Sequence, residues 1–270
     1  MIRTILSALF CCALPFASAH AQGAVVLDAN VGAIKINPET IDDLVTANQI
    51  LSAQGILDAF GHVSARDPAN PGHYIMARSG APGLVKPEDV IAFDLDSRPM
   101  NANGRSAALE RFIHGEIYKA RPDVMAIIHT HAPALIPFGV TKQPMRPIYH
   151  MGSFLSEGAP VFEIRAEAGE ATDLLISAPR LGALLARSLG KAPIVLMRGH
   201  GATVVGVSLP QVVFRAVYAV TNADLQLKAQ SLGPITYLTD AEAAAVTQVN
   251  NVALNKAWLL WKQQAQAAVR

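Results

Sequence analysis

The chain has 270 residues, of which 51% are hydrophobic and 16% charged, and its formal net charge is +1. This length can bury a real core, as one large domain or two small ones, and the hydrophobic content excludes a disordered or fibrous protein. The balanced charge, without a run of Lys and Arg, excludes the basic surface typical of nucleic-acid-binding proteins. We therefore expect a compact globular enzyme.

The first residues, 1–21, have the pattern of a secretory signal peptide. A short apolar stretch at 5–16 is followed by the small residues Ala19 and Ala21, which predict cleavage before Gln22. The stretch is too short to span a bilayer comfortably, and no later segment has about twenty apolar residues in a row. Both cysteines lie inside this segment, so the mature chain would have no disulfide. We expect a periplasmic or secreted protein with no membrane anchor.

The rest of the chain alternates between helical and strand patterns. Residues 22–38 are predicted to be an exposed leader, and 39–270 a single domain that ends in a helical tail. The predicted elements are, in chain order, a helix at 39–54, a hairpin of strands at 61–65 and 74–77, a strand at 90–95, a helix at 109–120, a strand around His129, a helix at 179–189, two strands around His200, a helix at 210–232 and the tail from Thr239. Strands in the middle with helices on either side predict one α/β or α+β layer structure.

Three histidines and one carboxylate are candidates for a metal site. His129 and His131 end an apolar run, and side chains two residues apart on a strand point to the same face. His200 lies between two glycines at the end of a second apolar strand, and Glu110 lies on the predicted helix before the pair. Each histidine alone could be a buried residue with hydrogen-bonded ring nitrogens. Together they favour a site for Zn²⁺ or another transition metal.

Four stretches of the chain resemble the class II aldolase/adducin family. They are Gly-His-Val-Ser at 61–64, Glu110 followed by Arg-Pro-Asp-Val at 121–124, Ile-Ile-His-Thr-His at 127–131, and Arg-Gly-His-Gly at 198–201. With the blocks between them they cover about residues 40–235. The resemblance implies a three-layer α/β/α sandwich around a mainly antiparallel sheet. It also implies a homotetramer with active sites at subunit interfaces.

The same resemblance implies roles for individual residues. His129, His131 and His200 would be the zinc ligands, with Mn²⁺, Co²⁺ and Fe²⁺ left open as alternative metals. Glu110 would serve as a ligand or as an acid/base. The catalytic tyrosine of the family's sugar-phosphate aldolases falls near Tyr149 and His150, which are therefore candidates for catalysis.

This chain departs from the sugar-phosphate aldolases where they bind phosphate. Those enzymes carry two serines immediately before the carboxylate, and here Ala108 and Leu109 occupy these places. His62 stands where they usually carry asparagine. The blocks at 52–64, 110–115 and 196–202 are more similar to a branch of decarboxylases. That branch acts on hydroxylated aromatic acids and on ring-cleavage products such as carboxy-hydroxymuconate semialdehydes.

The resemblance therefore implies a metal-dependent carbon–carbon lyase, here a decarboxylase of a small carboxylated substrate that works through a metal-stabilised enolate. A fuculose-phosphate-like sugar-phosphate aldolase or epimerase is the first alternative. The second is a metal-free scaffold module similar to the adducin head domain, which has no reason to keep four converging ligands. The candidates for substrate binding are His62, Ser64, Arg78, Ser79 and Arg198. Each arginine could pair with a substrate carboxylate or form a surface ion pair.

Overall fold

The computed structural model describes residues 36–268. The predicted signal peptide and nearly all of the predicted leader lie outside the described residues. The helices are α1 (Pro38–Ala53), α2 (Arg111–Ala120), α3 (Ile136–Val140), α4 (Arg165–Ala168), α5 (Pro179–Leu189), α6 (Leu209–Leu232) and α7 (Asp240–Ala268). The strands are β1 (His62–Arg66), β2 (His73–Ala77), β3 (Val90–Asp94), β4 (Ala126–Thr130), β5 (Val161–Phe162), β6 (Ile194–Met197) and β7 (Gly201–Gly206). Within this part of the chain, no helix combines the length and apolar character needed to cross a membrane.

The seven strands form one sheet in the order β3-β2-β1-β4-β7-β6-β5. Every neighbouring pair is antiparallel except β5 and β6, which run parallel. β4 lies at the centre, where His129 is opposite His62 of β1 and Thr203 of β7. The prediction of a mainly antiparallel sheet is confirmed.

Helices cover both faces of this sheet. Ile128 and Val204 pack into a core with residues of α1 and α6, whereas Ile127 and Val205 pack into a second core with residues of α2 and α5. Successive side chains on a strand point to opposite faces, so each central strand contributes to both cores. Trp258 of α7 joins the first core. The predicted α/β/α sandwich is therefore confirmed.

The start of α2 differs from the prediction. The apolar pattern predicts a helix from residue 109, but α2 begins at Arg111, so Glu110 lies just before the helix. Its carboxylate does not cap the helix, because Oε1 accepts a hydrogen bond from the backbone N–H of Ile176 instead. Helices α1 and α6 start as helix-capping rules predict: Asn37 accepts from the N–H of Glu39, and Ser208 accepts from the N–H of Gln211.

Two glycines allow the neighbouring strands to come close to the end of β4. A Cβ on Gly201 would lie 2.1 Å from the carbonyl oxygen of Thr130, so any residue with a side chain would clash there. Gly61 has a φ of +85°, and a Cβ there would lie 2.7 Å from the carbonyl oxygen of His129. The beginnings of β1 and β7 thus meet the end of β4, where the predicted metal ligands lie.

Candidate metal and active site

The structure brings the four predicted metal ligands together. His129 lies in β4, His131 follows that strand, His200 lies in the turn between β6 and β7, and Glu110 precedes α2. The Nε2 atom of His131 is 3.0 Å from the Nε2 atoms of His129 and His200. Glu110 Oε2 is 3.4 Å from Nε2 of His129 and 3.5 Å from Nε2 of His200. One ligand atom of each residue lies within 4.8 Å of the others.

Hydrogen bonds on the far side of two rings show which nitrogens are available as ligands. Nδ1 of His129 is 3.2 Å from the carbonyl oxygen of Ala202, and Nδ1 of His200 is 2.9 Å from that of Leu174. A carbonyl oxygen only accepts, so both Nδ1 atoms carry hydrogen and both Nε2 atoms direct lone pairs to the centre. Three imidazole nitrogens and one carboxylate are a donor set that fits Zn²⁺. The residues present therefore fit a divalent metal.

The electrostatics of the cluster favour an ionised Glu110 carboxylate and a neutral His131 ring. Burial alone would raise the pKa of the Glu110 carboxyl, but the imidazoles of His129 and His200 outweigh burial and hold this pKa well below its usual range. Burial, aided by the same two imidazoles, lowers the pKa of His131 to about 4. Burial opposes protonation of His200 as well, but Glu110 raises its pKa. At neutral pH His131 is a neutral ring that can act as a ligand.

A cavity of about 420 Å³ opens beside the cluster. Its walls combine polar and apolar groups, and they include Asn48, Phe60, His62, Arg78, Ser79, Gly80, Pro82, Val85, Ala108, Leu109, Glu110, His131 and Leu175. A larger, more open groove of about 910 Å³ lies beside the start of α1 and contains none of the predicted site residues. The smaller cavity is the candidate substrate site because it contains two of the metal ligands.

The two predicted arginines have different positions. Arg78 lines the cavity next to Ser79, and its Nε is 2.5 Å from Oδ1 of Asp89. Arg198 does not line the cavity, and its Nε is 2.7 Å from Oε2 of Glu163. Arg78 and Ser79 thus lie where a substrate could contact them, whereas Arg198 matches the alternative of an ion pair.

Ser64 lies behind the cavity wall, so its predicted contact with substrate is not made in this chain. Its hydroxyl is buried, 2.6 Å from Nδ1 of His114 and 2.8 Å from the hydroxyl of Tyr118. His114 Nε2 is in turn 2.7 Å from Nδ1 of His62, which lines the cavity. Tyr118 was not among the site residues predicted from the sequence, although His114 and Tyr118 are four residues apart in α2 and therefore share one side of it.

Tyr149 and His150 are not next to the cluster in this chain. They lie at the start of a 3₁₀ helix, His150–Glu157, which packs between α6 and α7. The Tyr149 ring is 6.4 Å from that of Tyr218, and the His150 carbonyl accepts a hydrogen bond from Asn250. Neither residue lines the cavity. Their catalytic role would require a neighbouring subunit, so it stays a prediction together with the homotetramer.

Known proteins with similar sequences and folds support this description. The model of the family "Class II Aldolase and Adducin N-terminal domain" matches residues 42–227. The decarboxylase tropJ of Talaromyces stipitatus is 34% identical over 245 residues, which cover 82% of this chain and 92% of the relative. A 3,4-dihydroxyphthalate decarboxylase of Arthrobacter keyseri is 30% identical over 207 residues, covering 70% and 78%.

Among solved structures, the L-fuculose 1-phosphate aldolase from Glaciozyma antarctica PI12 has the same fold. It superimposes with a TM-score of 0.71 at 21% identity, covering 85% of this chain and 89% of the aldolase. The matched family model spans most of the described residues and includes all four ligands of the cluster. The chain belongs to the class II aldolase and adducin family.

Proposed function

We propose that the protein is a metal-dependent decarboxylase of a hydroxylated aromatic acid or a carboxy-hydroxymuconate-type ring-cleavage product. The observation that carries the proposal is the convergence of His129, His131, His200 and Glu110 beside a cavity with polar and apolar walls. The names of the two relatives, a decarboxylase and a 3,4-dihydroxyphthalate decarboxylase, support this substrate class.

The three histidines and Glu110 would hold the metal. Zn²⁺ suits this donor set best, and Mn²⁺, Co²⁺ or Fe²⁺ are the alternatives. A divalent cation bound there supplies Lewis-acid stabilisation of the negative charge that develops on a substrate oxygen as the carbon–carbon bond breaks.

The cavity walls suit a planar acid. Phe60 and Leu109 present exposed apolar surface that can pack against a ring. Arg78 is held at the wall by Asp89, and a guanidinium pairs well with a carboxylate. These groups would bind and orient the substrate before the bond breaks.

Glu110 is the residue we assign to proton transfer. When carbon dioxide leaves, the carbon it leaves behind keeps the electron pair and must gain a proton. Glu110 Oε2 faces the imidazoles at the cavity and is ionised at neutral pH, so it can take a proton from a substrate hydroxyl and deliver it to that carbon. Its other oxygen, held by the N–H of Ile176, keeps the carboxylate in this orientation.

The composition of the cavity argues against a sugar-phosphate aldolase. Ala108 and Leu109 line the cavity where the aldolases carry serines, so these positions offer no hydroxyl donor to a phosphate dianion. The convergence of the four ligand atoms argues against a scaffold, which has no need of them.

One set of assays separates the three functions. Elemental analysis of the purified protein should find stoichiometric metal. The metal-loaded protein should release carbon dioxide from 3,4-dihydroxyphthalate or a related hydroxylated aromatic acid, and a chelator should abolish this release. Inorganic phosphate and L-fuculose 1-phosphate should not compete. Cleavage of L-fuculose 1-phosphate without carbon dioxide release from any acid would establish the aldolase. Absence of metal would leave the scaffold.

The proposal also includes export of the protein and its assembly into a homotetramer. Removal of residues 1–21 on export would deliver it to the periplasm or outside the cell, which the signal-peptide pattern supports. A homotetramer is supported by exposed apolar side chains on α7, among them Val249, Val252 and Leu259, which an assembly could bury. Light scattering on the purified protein measures the mass of the assembly.

A further inference from the structure

A chain of four side chains leads from the protein interior to the cavity wall. It runs from the Tyr118 hydroxyl to Ser64 Oγ (2.8 Å), from Ser64 Oγ to His114 Nδ1 (2.6 Å) and from His114 Nε2 to His62 Nδ1 (2.7 Å). Tyr118, Ser64 and His114 are at most 1% exposed. Buried polar groups need hydrogen-bond partners within the protein. Each buried O–H and N–H group of these four side chains must therefore donate to an acceptor.

Only one direction of donation along these four side chains leaves every buried hydroxyl hydrogen with an acceptor. Among the described residues, Ser64 Oγ is the only hydrogen-bond partner of the Tyr118 hydroxyl, so Tyr118 must donate to Ser64. Ser64 then donates its own hydrogen to His114 Nδ1, and His114 donates from Nε2 to His62 Nδ1. The opposite direction leaves a buried hydroxyl hydrogen without an acceptor, which disfavours it on the order of tenfold to hundredfold.

We propose that Ser64 and His114 are positioning residues that hold His62 in the tautomer with its proton on Nε2. Nδ1 of His62 is occupied by His114, so Nε2 is the ring nitrogen left for a ligand in the cavity. The cavity wall then presents a fixed N–H donor to a carboxylate or phenolate oxygen. With this proton in place, His62 cannot take a proton from substrate at Nε2, which leaves that step to Glu110.

This inference deepens the proposed function and rests on it only for the choice of ligand. The tautomer can be observed directly, because protonated and unprotonated ring nitrogens differ in their ¹⁵N chemical shifts. We suggest ¹⁵N-histidine labelling of the full protein, with and without added Zn²⁺. The signal of His62 is assigned by its loss in His62→Gln. We expect hydrogen on Nε2 and none on Nδ1.

A pair of matched variants tests the positioning role. Ser64→Ala removes the hydroxyl that donates to His114 Nδ1 and so sets the direction, and we therefore expect a mixture of His62 tautomers. Tyr74→Phe is the control. Tyr74 is also buried and its ring is 5.3 Å from that of Tyr118, but its hydroxyl donates to Ser97, which is not one of these four side chains. This control should keep the tautomer of the unsubstituted protein.

Binding provides the second readout. The probe is 3,4-dihydroxybenzoate, which is 3,4-dihydroxyphthalate less one carboxylate, and calorimetry measures its Kd. Ser64→Ala should weaken binding by about fivefold, the effect of one poorly oriented hydrogen bond, and Tyr74→Phe should leave it unchanged. An Nδ1 proton on His62 in the unsubstituted protein would overturn the proposal, whether or not Ser64→Ala folds. The same tautomer and the same Kd in both variants would also overturn it. The expected tautomer without decarboxylase activity would contradict the proposed function and leave the positioning role standing.

Discussion

Replacing Glu110 with glutamine tests the centre of the proposed site. Glu110 Oε1 accepts a hydrogen bond from the N–H of Ile176 at 2.9 Å, and Oε2 faces Nε2 of His129 and His200 at 3.4 and 3.5 Å. In Glu110→Gln only the amide oxygen can accept from Ile176, so the amide NH₂ must turn to the imidazoles. The variant therefore keeps its anchor to the backbone and loses the negative charge at the cluster.

The expected effects differ for folding, metal binding and turnover. The fold should survive because the side chain keeps its size and its bond to Ile176. Metal affinity should fall by at least about 10–100-fold, which is the usual effect of losing even a supporting carboxylate, because Glu110 is one of the four groups that would hold the metal. At saturating metal, kcat should fall by about 10²-fold or more, because an amide cannot carry the proton.

Metal titration by calorimetry and carbon dioxide release at saturating metal measure these two effects separately. Glu116→Gln is the matched control, because it changes a nearby carboxylate in α2 whose partner is Lys119 at 2.7 Å. This control should bind metal and turn over like the unsubstituted protein. Unchanged kcat in Glu110→Gln at full metal occupancy would refute the role of Glu110 in proton transfer.

The remaining predictions concern the ligands, the strand ends, pH and export. His129→Ala should lose metal by elemental analysis but keep its circular dichroism spectrum, and full occupancy would contradict the ligand assignment. Gly201→Ala should lower the free energy of unfolding by about 1–3 kcal/mol in urea titrations, because its Cβ would meet a carbonyl oxygen at 2.1 Å. Gly139→Ala, with its nearest contact at 3.5 Å, is the control and should change much less. His131 has a folded pKa of about 4, below its unfolded value of about 6.5, so the unfolded protein binds this proton more readily. The Tm of the metal-free protein should therefore fall as the pH decreases from about 6.5 to about 4. A Tm that rises over this interval would contradict the lowered pKa of His131. Mass spectrometry of exported protein should find an N-terminus at or near Gln22, and an intact Met1 on the soluble cytoplasmic protein would exclude the signal peptide.

Local patterns in the sequence were sufficient for most of the elements, though not for β5, α3 and α4, and for the four candidate metal ligands. Alternating and continuous apolar runs set the strands around His129 and His200, because burial on one or both faces of a sheet requires them. The glycine before and after His200 indicated a tight strand end, and in the structure Gly201 allows β7 to approach Thr130. Strands and strand ends depend on residues that are neighbours in the chain, so they can be predicted from one sequence.

The orientation of each site group depends on contacts between distant segments, so only the tertiary structure decided it. Ile176, which fixes the Glu110 carboxylate, is 66 residues away in sequence, and Ser64 is 54 residues from Tyr118. The sequence made Ser64 a candidate substrate contact as part of the Gly-His-Val-Ser motif at 61–64. Packing of α2 against β1 turned its hydroxyl inward instead. The sequence determined which chemical groups are available at this site. The packing of helices on the sheet decided which of them face the cavity, since a side chain's partners are set by the surfaces that fold against it.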